Sequence, residues 1–212
     1  MILDARTLGL FTLASLALAA IPGPDMMLFV SRSMVQGWRV GVAALCGAVL
    51  GCFCQAMAAG LGLSRLFLLV PVAFQAVRLL GAAYLLYLAW STVRARPSAP
   101  PSAKPPPLPF ATALRQGLFT NLLNPKVALF MLALLPQFLR PEQGHMAAQV
   151  LLLSLIQMST GVLVNLPIIL AAAHLARWLG GRAPSRWRRL PTLLLGGLFA
   201  GLALDLLHGD LR

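Results

Sequence analysis

A proline step inside a long apolar run holds residues whose types and spacing could bind a charged ligand. In Asn121-x-x-Asn124-Pro125-Lys126, Pro125 lacks a backbone N–H and its ring clashes with the carbonyl four residues earlier, so the Asn121 carbonyl loses its helical partner. Asn124 and Pro125 fit the N-cap and first position of a new helix, with Lys126 in its first turn. A cation is disfavoured both there and inside a bilayer. The step therefore predicts an anion site for a small ligand's carboxylate or phosphate, held by Lys126 and open backbone N–H groups.

The alternative for Lys126 needs no ligand: it pairs with an internal acidic side chain or faces water. The first apolar run has a comparable break at Pro22-Gly23-Pro24-Asp25, where two prolines remove two backbone donors. Asp25 then lies in the first turn of the following helix, where a carboxylate is stabilised. Either a solvated helix start or a functional carboxylate explains this residue.

Two further polar side chains lie within apolar segments. Gln55 is expected to bond a neighbouring helix or to line a polar cavity. Arg78 pairs with Asp25, lines a wet cavity or extends to the membrane surface, and the residues alone leave these three roles open.

Composition places these residues in a membrane. Of 212 residues, 59% are hydrophobic and 10% charged, and the mean hydropathy is +0.83, which is too apolar for an ordinary soluble domain. The fold class predicted is an all-α, polytopic membrane protein. The net charge of +12 does not indicate nucleic-acid binding, because the basic residues mostly lie between apolar runs and report topology instead.

Six membrane spans are predicted in one transporter-sized domain, residues 1–212. A proline-rich, solvated linker at 94–109 separates half 1 (about 1–93) from half 2 (about 110–212). Residues 1–20 also match a signal peptide ending in Ala17-Leu-Ala19, but apolar residues resume after Asp25, which favours an interrupted first span. The spans are placed at about 7–31, 40–63, 66–90, 111–139, 146–175 and 190–207, with a loop at Ser31–Arg39 and a kink near Asn165 and Pro167.

Three spans on either side of the linker make the two halves inverted repeats, and the first helix of each half is the one broken by proline. Most basic residues lie in loops one, three and five, so the positive-inside rule predicts those loops in the cytoplasm and both termini in the periplasm. Glycines in the second span, Gly47-x-x-x-Gly51 with Gly37 and Gly41 before them, indicate close helix packing within the bundle or, alternatively, a homodimer interface.

Several short motifs occur in a fixed order along essentially the whole chain: Pro22-Gly-Pro24-Asp25, the Gly37 to Gly51 series, Gly81-Ala-Ala-Tyr84-Leu85, Asn121-x-x-Asn124-Pro-Lys126 and Leu135-Pro-Gln-Phe138. This set resembles the LysE/RhtB family of amino-acid exporters. The resemblance implies a bacterial inner-membrane exporter, not an enzyme, which expels amino acids or close derivatives and is driven by the proton gradient. Family members differ in substrate, so the resemblance does not name one.

The predicted mechanism has the two broken helices facing each other around a cavity. Lys126 holds the substrate carboxylate, while Asp25 holds its ammonium or carries the coupling proton, with Arg78 as a counter-ion. The remaining predicted substrate contacts are Pro22, Gly23, Pro24, Gln55, Asn121, Asn124 and Pro125.

Two competing functions would require types of residue of which the chain has few. A membrane-embedded enzyme or assembly factor calls for catalytic groups clustered at one depth, whereas His145, His174 and His208 all lie near span ends. A metal-ion exporter needs soft or carboxylate ligands, and only Cys46, Cys52 and Cys54 supply thiols. No cofactor or metal is predicted.

Overall fold

A computed structural model describes residues 3–60, 79–80, 82–84, 86–87, 89–90, 108–180, 197, 200–201 and 204. Within these ranges every regular element is helical, which confirms the all-α class. We number the helices whose ends are described in chain order: α1 (Ala5–Ala20), α2 (Pro24–Gln36), α3 (Trp38–Gly60), α4 (Phe110–Leu122), α5 (Pro125–Leu129) and α6 (Met146–Gly180). A π-helical turn at Phe130–Leu134 and 3₁₀ turns at Leu135–Phe138 and Pro141–Gln143 lie between α5 and α6.

Two of these helices, Trp38–Gly60 in α3 and Met146–Trp178 in α6, are long and apolar enough to cross a bilayer. The pair α1 and α2 passes the same test jointly, with a bend of 53° between the two helices. The described residues at 79–90 and at 197–204 are helical as well. The arrangement of six spans as inverted repeats stays a prediction.

Asp4 begins α1 as its N-cap. Its carboxylate accepts from the Thr7 backbone N–H at 2.7 Å and from the Thr7 hydroxyl at 3.1 Å, and these bonds lower the pKa of the Asp4 carboxyl. Further along α1, Phe11 is fully buried, with its ring centroid 5.6 Å from Phe130 and 5.1 Å from Phe138. The first helix is therefore packed into the same core as the segment after α5.

The predicted loop at Ser31–Arg39 is wrong. Helix α2 continues to Gln36 and α3 starts at Trp38, so Gly37 alone connects them. The hydroxyls of Ser31 and Ser33 donate to carbonyls within α2, at 2.7 and 2.6 Å, so these polar residues fit inside a buried helix. Gly37 has a φ of 93°, a backbone conformation that favours glycine over other residues.

Helices α3 and α4 pack with their backbones in contact. A methyl group at Gly47 would overlap the Leu114 carbonyl, and one at Gly117 would overlap the Ala44 carbonyl. Only glycine permits this approach from both sides. Contacts within one chain therefore explain the predicted packing role of the second-span glycines. The homodimer stays a prediction.

Gly47→Ala should destabilise the protein because its methyl group forces α3 and α4 apart. Overpacking of this kind costs about 1–3 kcal/mol, and thermal unfolding of the purified protein in detergent measures it. Gly9→Ala is the matched control, since no atom in the described part of the chain lies within 4 Å of a methyl group there. Equal unfolding temperatures for the two variants would contradict the packing described.

Candidate functional site

The first predicted break is confirmed between α1 and α2. Helix α1 ends at Ala20 and α2 starts at Pro24, which makes Asp25 the second residue of α2. Gly23 is extended, with a φ of −161°, so its backbone does not itself demand glycine. The nearby space restricts this position instead, because a methyl group at Gly23 would lie 3.2 Å from the Lys126 ammonium nitrogen and 3.3 Å from its Cε. The first break therefore leaves room for the Lys126 side chain, which extends from the second break.

The second predicted break is confirmed between α4 and α5. Asn124 is the N-cap of α5, and its Oδ1 accepts from the Lys126 backbone N–H at 3.1 Å. The Asn121 carbonyl, whose helical partner the proline removes, accepts from the Asn124 backbone N–H at 3.0 Å and from Gln55 Nε2 at 2.7 Å. Gln55 therefore supplies a replacement donor from α3, as one of its two predicted roles requires.

Asp25 is bound by the residues of the opposite break. Its Oδ2 accepts from Asn121 Nδ2 at 2.9 Å and from Asn124 Nδ2 at 3.0 Å. Its other oxygen, Oδ1, is buried and has no hydrogen-bond partner among the described residues. Because a buried carboxylate oxygen without a donor is costly, Oδ1 is suited to accept from a ligand.

Lys126 connects the two breaks in the opposite direction, from the second break to residues beside the first. Its ammonium donates to the carbonyls of Leu18 at 3.0 Å and Ile21 at 2.6 Å, at the end of α1, where the last helical carbonyls lack N–H partners. Lys126 is half-buried and its charge also interacts with that of Asp25, so the ligand role and the two ligand-free roles all stay predictions. An ammonium has three donors, so one remains beyond these two bonds, and no carboxylate of the described residues forms a hydrogen bond with it.

A small cavity of about 70 Å³ lies between the two breaks. Its polar lining consists of Asp25, Asn121, Lys126, Gln157 and Asn165, and the remaining walls are mainly apolar, including Met26, Phe29, Val49, Cys52 and Met158. A carboxylate and an ammonium therefore face one small, largely apolar space.

Gln157 and Asn165 on α6 were missed by sequence reasoning as site residues. Both are buried, with exposed fractions of 6% and 9%, and the side-chain oxygen of each lacks a partner in the described ranges. The sequence does contain a pattern that indicates these site residues. Gln157, Gly161 and Asn165 are spaced four apart, which places them on one face of an otherwise apolar helix. Asn165 was predicted only to mark a kink with Pro167, which lies inside a helix assigned without interruption.

The other predicted site residues surround the cavity without lining it. Gln55, Asn124, Gly23 and the prolines at 22, 24 and 125 hold or shape the two breaks, and their contact with a substrate stays a prediction. Arg78 lies outside the described residues. No group of three or more His, Cys, Asp or Glu side chains that could hold a metal occurs in the part of the chain the structure describes.

Known proteins match this chain over most of its length. It is 29% identical over 191 residues to a membrane protein of Vibrio cholerae, covering 90% of this chain and 91% of that one. It is 29% identical over 171 residues to the homoserine/homoserine lactone efflux protein of Salmonella typhimurium, covering 81% and 82%, respectively. It is 27% identical over 197 residues to the leucine efflux protein of Salmonella choleraesuis, covering 91% of each chain.

No solved structure matches the chain. The family model described as LysE type translocator, however, matches residues 16–210, a range that includes both helix breaks and the cavity between them. The chain belongs to the LysE type translocator family.

Proposed function

We propose that this protein exports amino acids or close derivatives across the bacterial inner membrane and binds them in the cavity between the two helix breaks. Two of its relatives are named as efflux proteins, one for homoserine and its lactone and one for leucine. The observation that carries the proposal is the placement of Asp25 and Lys126 on the walls of one cavity. Export rather than chemical conversion of the substrate is the function that this family membership supports.

The charges in the cavity complement a zwitterion. Asp25 Oδ1 needs a donor and the third N–H of Lys126 needs an acceptor, so an ammonium and a carboxylate on one small molecule satisfy both. Charged groups at membrane depth are costly unless they are paired or functional. Here each charge is held in place by neutral groups, amides for Asp25 and carbonyls for Lys126, which leaves both available to the substrate.

The way the two breaks hold each other supports alternating access as the transport mechanism. Asp25 in the first break is bound by Asn121 and Asn124 of the second, while Lys126 of the second is bound by Leu18 and Ile21 beside the first. A motion of one half relative to the other must exchange these bonds. Substrate groups that replace them offset that cost, so that a loaded cavity opens more readily than an empty one.

Proton coupling is assigned to Asp25, the carboxylate on the cavity wall. Protonation would remove the negative charge that holds a substrate ammonium, and it would add a donor at Oδ1 where the site needs an acceptor. Protonation and substrate binding at Asp25 would therefore exclude each other, which is the requirement for exchanging an outgoing amino acid against an incoming proton.

The test is efflux of a panel of labelled amino acids from cells that overproduce the protein, compared with cells that carry the empty vector. Faster efflux of a defined subset is expected. Unchanged efflux of every amino acid, with the protein shown to be in the membrane, would overturn the proposal and move attention to a non-amino-acid cargo or to a function without transport.

A further inference from the structure

We propose that Gln157, Gly161 and Asn165 of α6 form the selectivity wall of the cavity: Gly161 limits the size of the substrate side chain, and either amide oxygen can accept a hydrogen bond from it. This inference rests on the proposed function and adds the residues that choose among amino acids. It concerns positions that the helix breaks do not include.

Gly161 provides the space. It lines the cavity, and a methyl group added there would have no atom of the described residues within 4 Å. This distinguishes it from the glycines at 41, 47, 51, 60 and 117, where an added methyl group would meet packed neighbours. Glycine is also a poor helix former, so α6 has at this position an opening into the cavity that helix packing does not require.

The amides on either side of Gly161 provide the polarity. Asn165 Nδ2 donates to the Gly161 carbonyl at 2.8 Å, which fixes the amide with its oxygen free. Gln157 Oε1 is likewise buried and without a partner among the described residues. Both side chains are more than nine-tenths buried, and both line the same cavity. Because an unpartnered buried acceptor is unfavourable, the wall favours a substrate side chain that can donate a hydrogen bond.

The charged residues around the cavity favour a substrate whose side chain is uncharged. Of the described residues around the cavity, only Asp25 and Lys126 carry a formal charge, and the substrate's own ammonium and carboxylate satisfy them. A lysine or glutamate side chain would bring a third charge with no opposite partner among these residues. The wall therefore selects neutral amino acids, prefers hydroxylated ones over aliphatic ones of the same size, and excludes bulky ones.

The experiment compares efflux of alanine, serine, threonine, valine, leucine, phenylalanine and lysine by the wild type, Gly161→Val and Asn165→Leu. Gly9→Val is the matched control, since it makes the same change at an open position outside the cavity. Thermal unfolding in detergent checks that each variant is folded. Gly161→Ala is the smaller change to use where the valine variant does not fold.

We expect Gly161→Val to lower efflux of the largest transported amino acid by about tenfold or more relative to the smallest, with Gly9→Val unchanged. Asn165→Leu should lower the preference for threonine over valine, which differ by a hydroxyl and a methyl group, by about tenfold. A wild-type profile in both folded α6 variants, or a uniform decrease across the panel, would overturn this inference alone. No efflux of any amino acid by the wild type would overturn the proposed function and the inference with it.

Discussion

Asp25→Asn is expected to abolish net export while the protein remains folded in the membrane. An asparagine side chain has the same shape, and its carbonyl oxygen can take the place of Oδ2 and accept from both Asn121 and Asn124. Its NH₂ group would then replace Oδ1, so that a donor without charge faces the cavity instead of a carboxylate oxygen. Since a site built for one hydrogen-bonding group strongly rejects the wrong one, we expect at least about a 100-fold loss of transport rate.

Initial rates of efflux from cells with equal amounts of membrane-inserted protein measure this loss. Glu142→Gln is the matched control, because Glu142 is exposed in the turn before α6 and the change is chemically the same. Exchange of labelled for unlabelled amino acid without a pH gradient separates the two roles of Asp25. Exchange persists if Asp25 only carries the proton and is lost if it holds the ammonium, whereas full net efflux by Asp25→Asn would remove it from the mechanism.

Lys126→Met is expected to abolish substrate binding and also to weaken the fold. Methionine keeps much of the unbranched side chain but removes the donor to the Leu18 and Ile21 carbonyls and the cation for the substrate carboxylate. Losing hydrogen bonds from a charged group costs about 1–3 kcal/mol of stability, which thermal unfolding in detergent measures. Arg115→Met controls for loss of a cation on an exposed face of α4.

Gly23→Ala separates binding from folding at Lys126. The extended backbone at Gly23 accepts alanine, but the new methyl group lies 3.2 Å from the ammonium nitrogen and must displace it by a few tenths of an ångström. We expect weaker apparent affinity at normal membrane levels, with the charge intact. Unchanged affinity in Gly23→Ala, together with lost expression as the only effect of Lys126→Met, would make the lysine purely structural.

The helix breaks could be predicted from sequence because each combines a proline with a second local signal, Gly23 between two prolines in one and the N-cap Asn124 in the other, whereas Pro167 alone does not end α6. Proline lacks an N–H wherever it occurs, so the ends of α1 and α4 and the N-cap at Asn124 were readable without any tertiary information. Close packing at Gly47 was readable for the same kind of reason, because two helices can approach this closely only where a side chain is absent.

The partners of the charged groups could not be predicted, because they depend on which segments fold together. Nothing in the chain near Lys126 indicates that its ammonium reaches the carbonyls of Leu18 and Ile21, more than 100 residues earlier. The roles of polar residues inside helices were also not predictable from sequence. The predicted loop at Ser31–Arg39 contains Ser31 and Ser33, whose hydroxyls bond within α2, and Gln157, which lines the cavity, was not among the predicted site residues.

The most direct test of the central claim, that one cavity holds both ends of an amino acid, is a competition experiment in liposomes containing the purified protein. Counterflow of a labelled substrate is measured against the unlabelled amino acid, the corresponding amine without its carboxylate, and the corresponding acid without its ammonium. We expect the amino acid to compete at least about tenfold better than either analogue, because each charged contact contributes about 1.5–3 kcal/mol. Equal competition by the amine or the acid would contradict the pairing of the two groups with Asp25 and Lys126.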